Sequence, residues 1–257
     1  MLALTHVPSP RMENCVRTYI EEAPIDRTRV VRQHEEYCRL LRNCGFEVHT
    51  LDVNGELPDC VFIEDTAIVL DEVAILASMG APSRRAEPAG IESELRKYRD
   101  IQRIEAPATI EGGDVLCLGR TVLVGVSSRT NRAGVSALQA LIGRYGYQCV
   151  PVPVRRCLHL KTACTALDEE RLLVNAAWLD VVALRDFELL HVPEEEPWAA
   201  NAMLAGRSVC LAADHVRTVE RIRGLGFDVQ TIDVSEFVKA EGGVTCLSIR
   251  FRPHPKT

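Results

Sequence analysis

"GFEVHTLDV" at residues 45–53 and "GFDVQTIDV" at 226–234 are nearly one sequence, about 180 positions apart. Helical spacing precedes each copy. Before the first, Val30, Val31, Tyr37, Cys38, Leu41 and Cys44 fall on one helical stripe, with Asp26 at a capping position. Before the second, Val216, Val219 and Ile222 recur at three-residue steps behind Asp214. Gly45 and Gly226 stand where a helix ends. A third copy lies between them: Asn131 caps a predicted helix carrying Val135, Leu138, Leu141, Ile142 and Tyr145, which stops at Gly146 and enters "YQCVPVPV". "GIESELRKYRDIQRIEAP" and "WLDVVALRDFELLHVPEEE" read as looser helix-then-strand units.

Five such units predict a repeat architecture. Each strand leads to a loop: "PDCVFIED", "PATIEGGD", "RRCLHLKTACT", "EEEPWAANAM" and "KAEGGVTCLS". Short apolar runs follow, among them "VAILAS", "TVLVGV", "RLLVNAA" and "SVCLAA". The fifth unit lacks its run, and "LALTHV" near the N-terminus can supply it. That closes a ring with no need for the polar end caps of an open array. The expectation is one α/β domain over residues 1–257, five α/β units in a closed ring whose equivalent loops converge at the centre.

Composition narrows the function. A net charge of −6 over 257 residues argues against a nucleic-acid partner and permits a small cation. The ten cysteines include no Cys-x-x-Cys pair, and no His/Cys cluster has zinc-finger spacing, so no metal site is predicted. No stretch approaches the length and apolarity of a membrane helix, and no secretory leader is recognisable, so a reducing cytoplasm is expected. A homodimer is left open.

The converging loops offer Asp59, Glu64 and Asp65, then Glu111 and Asp114, then His159, and finally Glu241 and Cys246. An acidic lining suits a planar guanidinium held by paired hydrogen bonds. A cysteine can attack carbon, and a histidine can move protons to and from the reacting group. Each residue also has a structural reading: Cys246 as one more buried thiol, His159 as a satisfied core histidine, Glu64 and Asp65 as a solvated strand start, and Glu111 as a turn residue. The triple acid at 194–196 reads as solvated loop without a role. The glycine pairs 112–113 and 242–243 predict close approach of backbone to a flat ligand.

In this order, "PDCVFIEDTAIV", "GAPSRR", "EGGDVL", "SSRTN", "LHLKT", "PEEEPWAAN" and "EGGVTCLS" closely resemble the dimethylarginine dimethylaminohydrolases. That family belongs to the pentein group of guanidino-modifying enzymes, and the resemblance spans roughly residues 1–251. It implies the pentein fold, a five-bladed pseudo-symmetric α/β propeller, no cofactor, and hydrolysis of an Nω-methylated arginine to citrulline and a methylamine through a cysteine S-alkylthiouronium. It implies Cys246 as nucleophile, His159 as general acid/base, and Glu111 and Asp65 as guanidinium holders with Glu64 in support. Arg84 and Arg129 would take the substrate's α-carboxylate and Asp59 its α-amino group, with Phe62 lining the site. Arginine deimination, or hydrolysis of another guanidino compound, is the alternative, and a non-catalytic propeller binder is the remote one. One departure stands out: Ser78-Met79 replaces the Arg-Pro often found before the Gly-Ala of this loop. "SPRMENC" at 9–15 is the candidate lid, with Met12 near the substrate.

Overall fold

The computed structural model describes residues 1–253. The last four residues of the predicted domain, 254–257, lie outside the described part. Strands β1 (Leu2–His6) and β2 (Glu47–Leu51) pair in parallel across helix α1 (Arg27–Asn43). The same plan then repeats. β3 (Ala67–Val69), β4 (Val73–Leu76) and β5 (Asp100–Arg103) form one sheet, with α2 (Glu87–Leu95) on the crossover. β6 (Val115–Leu118), β7 (Thr121–Val126) and β8 (Gln148–Pro153) form the next, with α3 (Arg132–Ile142). A short α4 (Leu160–Ala163) introduces β9 (Cys164–Ala166), β10 (Arg171–Val174) and β11 (Glu188–His191). β12 (Met203–Ala205), β13 (Ser208–Ala212) and β14 (Asp228–Ile232) follow, with α5 (Val216–Gly224). After α6 (Ser235–Val238) comes β15 (Ile249–Phe251).

In every sheet the middle strand pairs antiparallel with its predecessor and parallel with its successor. The parallel step needs a crossover, which is where the helices sit. The first sheet obeys the rule only by borrowing. β1 is its middle strand, and its antiparallel partner is β15, in register Leu2 with Phe251 and Leu4 with Ile249. The predicted closure of the ring is therefore made by one three-residue ladder. The five sheets form the closed ring expected from the repeats and are the blades of the five-bladed α/β propeller that the resemblance implies.

Local chemistry explains most elements. Asp26 accepts from the amides of Thr28 and Arg29 at the start of α1, and Asn131 from that of Gly134 at the start of α3. Gly45, Gly146 and Gly226 take the left-handed conformation after their helices, with φ of 87°, 82° and 88°. Tyr37 is buried between blades, where its hydroxyl meets the Val244 carbonyl at 2.8 Å and Ser248 Oγ at 2.7 Å.

Four expectations are corrected. Asp214 is not a cap: His215 stands at that position, and Glu196 accepts instead from the amides of Arg217 and Thr218, each at 2.8 Å. The triple acid thus contains a helix cap delivered from another loop. Val31 and Val216 are exposed because the buried stripes run past them. The "WLDVVALRD" stretch forms two 3-10 turns, Ala176–Trp178 and Val181–Leu184, in place of a helix. Among the described residues no helix is long and apolar enough to cross a membrane.

Candidate active site

The loops that precede β3, β6, β9, β12 and β15 are equivalent, and hydrogen bonds stitch them to one another. Glu64 N donates to the Cys246 carbonyl at 3.2 Å, joining the loops before β3 and β15. Gly113 N donates to Asp65 Oδ1 at 3.0 Å, and Leu160 N to Asp114 Oδ1 at 2.8 Å. Asn201 Nδ2 donates to the Lys161 carbonyl at 2.9 Å and to Thr245 Oγ1 at 3.0 Å. Side chains from three of these loops face one cavity, lined by Asp59, Phe62, Asp65, His159, Glu241 and Cys246, together with Arg84 and Arg129 from two other connections.

The glycine pairs make this convergence fit, though differently from the expectation. A Cβ on Gly113 would lie 2.6 Å from Asp65 Oδ1 and 2.7 Å from His159 Nδ1. One on Gly112 would strike the Glu64 carbonyl, one on Gly242 the Phe62 ring, and one on Gly243 the Asn201 amide. The glycines let the backbone approach the site's own side chains, and Gly242 lines the cavity as well.

His159 stands at the N-cap position of α4. Its Nε2 lies 2.7 Å from Glu111 Oε2 and its Nδ1 3.8 Å from Asp65 Oδ1. Burial alone would lower its pKa. The Asp65 charge, the Glu111 hydrogen bond and the Asp114 charge outweigh that and hold it up at about 9. For Asp65 and Glu111 burial pushes upward, but the histidine and Arg84 keep both below the usual carboxylate range. Asp65, Glu111 and His159 offer ligand atoms within 4.8 Å of one another, a spacing that would hold a compact cation of either kind, a metal ion or a guanidinium.

Cys246 is half-buried, its Sγ 3.4 Å from Gly243 N. Burial, followed by the charges of Glu64 and Asp65, pushes its thiol up to about 12. Glu64 itself lies below the site: its Oε1 takes Lys161 Nζ at 2.6 Å, and its buried Oε2 has no hydrogen-bond partner.

The other end of the cavity is basic. Arg129 is buried, with Nη2 on Thr18 Oγ1 at 3.3 Å and Nη1 without a hydrogen-bond partner, 3.9 Å from Glu111 Oε1. Arg84 is not the free clamp expected: its guanidinium spans Asp65, Glu87 and the Phe62 carbonyl. Asp59 is occupied by the Val16 amide at 3.1 Å. Phe62 packs edge-on against Phe237, with ring centres 6.4 Å apart. Ser78 and Met79 lie beneath the cavity, where Ile110 N donates to the Ser78 carbonyl at 2.9 Å, Met79 is buried, and the next residue's amide, Gly80 N, reaches Glu111 Oε1 at 2.9 Å.

The cover is also displaced from its predicted place. Met12 is buried in the core cluster of Tyr37 and Phe46 and does not line the cavity. Val16 to Ile20 form the covering segment. Val16 N is held by Asp59, and Thr18 N and Tyr19 N by the Glu241 carboxylate, the former at 2.7 Å. Glu241, at φ 59°, is one of two described non-glycine residues in the left-handed region. Asn201, Lys161 and Glu87 escaped the sequence reading. The only trace of the first two is their presence in "PWAAN" and "LHLKT".

The family described as N,N dimethylarginine dimethylhydrolase, eukaryotic, matches residues 10–182. The N(G),N(G)-dimethylarginine dimethylaminohydrolase of Streptomyces coelicolor is 38% identical, over 97% of this chain and 96% of its own. The chain belongs to the dimethylarginine dimethylaminohydrolase family. Two solved structures of such a dimethylaminohydrolase resemble this one at 32% identity, each covering 97% of this chain and 98% of its own. One is a cysteine-to-serine mutant of the Pseudomonas aeruginosa enzyme complexed with citrulline, with a TM-score of 0.92. The other is a histidine-to-glycine variant as an adduct with S-methyl-L-thiocitrulline, with a TM-score of 0.93. In this chain, as in the pattern read from its sequence, one cysteine and one histidine share the cavity with acidic side chains.

Proposed function

We propose that this chain hydrolyses an Nω-methylated arginine to citrulline and a methylamine. One observation carries the reading: Cys246, Asp65 and His159, the last bonded to Glu111, line the same cavity as Arg129, whose buried Nη1 has no hydrogen-bond partner. A buried guanidinium hydrogen without an acceptor is costly, and a substrate α-carboxylate would satisfy it. The cationic end of the same molecule would meet Asp65 and Glu111.

The chemistry follows from the charges. In the empty site burial and two carboxylates keep Cys246 protonated. An arriving guanidinium offsets those carboxylates and makes the thiolate easier to form, the thiol proton leaving to solvent. Sulfur then bonds to the guanidinium carbon. His159, kept protonated by Asp65 and Glu111, gives its proton to the departing amine as the C–N bond breaks. The neutral imidazole next takes a proton from water. Hydroxide adds to the S-alkylthiouronium carbon, the C–S bond breaks, and the proton of the added hydroxyl passes to sulfur, leaving citrulline and the thiol. Holding carbon in line with sulfur supplies several kcal/mol, of order 10 at best.

The test is citrulline release from asymmetric dimethylarginine, monomethylarginine and arginine, with Cys246→Ser as control. Turnover confined to the methylated substrates and absent from the control supports the reading. Turnover of arginine alone would replace it with a deiminase.

A further inference from the structure

Arg84 enters the reading above as half of an α-carboxylate clamp, yet its guanidinium is almost fully engaged by protein. Nε donates to Glu87 Oε1 and Oε2 at 3.0 and 3.1 Å. Nη2 donates to Glu87 Oε2 at 2.8 Å and to the Phe62 carbonyl at 3.0 Å, and Nη1 to Asp65 Oδ2 at 2.7 Å. A guanidinium has five N–H groups. The one on Nε, the two on Nη2 and one of the two on Nη1 are used, so one Nη1 hydrogen remains for the cavity that Arg84 lines. Arg84, Glu87 and Asp65 are all buried, at 3%, 1% and 2% exposure.

Glu87 is the first residue of α2, and nothing in the sequence pattern marks it. We propose that Glu87 is a positioning residue, whose two-point grip on Arg84 aims the last Nη1 hydrogen at the substrate's α-carboxylate while limiting how far Arg84 neutralises Asp65. The buried chain Glu87–Arg84–Asp65 thereby ties the two ends of the substrate site together. The grip matters because a guanidinium held by two parallel hydrogen bonds is fixed in direction as well as place. Without it, Arg84 has a single carboxylate left, Asp65, and turns to it. That removes a donor from one end of the site and negative charge from the other. Burial pushes the Glu87 carboxyl up to about 7 despite Arg84, so the grip is also predicted to weaken in acid.

The inference rests on the proposed substrate class, and its test separates the two. Nω-methylarginine is compared with Nω-methylagmatine, which carries the same guanidinium and no α-carboxylate. In the intact protein kcat/KM should favour the former. In Glu87→Gln that preference should fall at least tenfold, mostly through KM of the carboxylate-bearing substrate. Glu87→Asp, with the charge kept and the reach shortened, should lose part of it. A role confined to holding the fold would slow both substrates by one factor, and that result would overturn the proposal. The same ratio is read as Kd in the Cys246→Ser background, where turnover plays no part. A wild-type protein that turns over neither substrate sinks the proposed function. An active wild type whose preference is unmoved in both variants sinks only the role of Glu87.

Discussion

His159 Nε2 and Glu111 Oε2 meet at 2.7 Å with both side chains out of solvent. Asp65, Glu111 and Asp114 hold the imidazole's pKa at about 9, against 6.5 when unfolded. The folded protein therefore binds this proton more tightly than the unfolded chain. The resulting stability is fully present below pH 6.5 and is lost as pH rises through 9. The size is on the order of 3 kcal/mol at most. Denaturation near pH 6 and near pH 9.5 should show this loss in the wild type and a smaller one in Glu111→Gln. Equal losses would mean that Glu111 does not hold the proton.

The Cys246 thiol sits between opposing demands. Its pKa is high because burial and the Glu64 and Asp65 charges disfavour the thiolate. Asp65→Asn removes one of those charges, so thiolate absorbance should appear at lower pH in the substrate-free variant. Turnover should nevertheless fall by roughly two to three orders of magnitude, because a guanidinium-holding group is gone. A variant with an easier thiolate and unimpaired turnover would exclude Asp65 from substrate binding.

Gly113→Ala should be damaging out of proportion to its size. The added methyl would push on Asp65 and His159 together. A loss of roughly 1–3 kcal/mol in unfolding free energy is expected, accompanied by a larger loss of activity than stability alone explains. Gly119→Ala is the useful contrast, since its Cβ would meet nothing within 4 Å and only its φ of 57° is strained. Comparable activity losses in the two variants would count against the crowding argument.

Glu241 ties the covering segment down by accepting from the Thr18 and Tyr19 amides. Glu241→Ala should free Val16 to Ile20 while leaving the blades unchanged. Tyr19 is already exposed, so cleavage there by chymotrypsin should accelerate several-fold, and KM should rise more than kcat falls. No change in cleavage would show that the segment is held by other means.

How much of this was legible depended on how local the cause was. The caps Asp26 and Asn131 act within three residues and were readable, as were the left-handed glycines 45, 146 and 226. The cap of α5 was not, because Glu196 reaches it from some 20 residues upstream while Asp214 sits in the obvious place. Repeat spacing was enough to find the loops that hold Cys246, His159 and the acids, since equivalent loops of a ring must converge. It could not say which carboxylate Arg84 faces. An arginine shows its charge in the sequence, but its partners follow from how α2 packs, and Glu87 had no pattern to announce it. Met12 was misplaced for a similar reason: an apolar residue in a candidate lid is drawn into the nearest core.

The ladder between β1 and β15 has a further consequence. β1 leaves the ribosome well before its antiparallel partner β15, Ile249–Phe251, which begins three positions beyond Cys246. Four blades can form while the remaining one waits with an open edge. A product that stops short of Cys246 would therefore carry both an unfinished propeller and no proposed nucleophile, so one stretch of chain, 246–251, closes the ring and supplies the thiol.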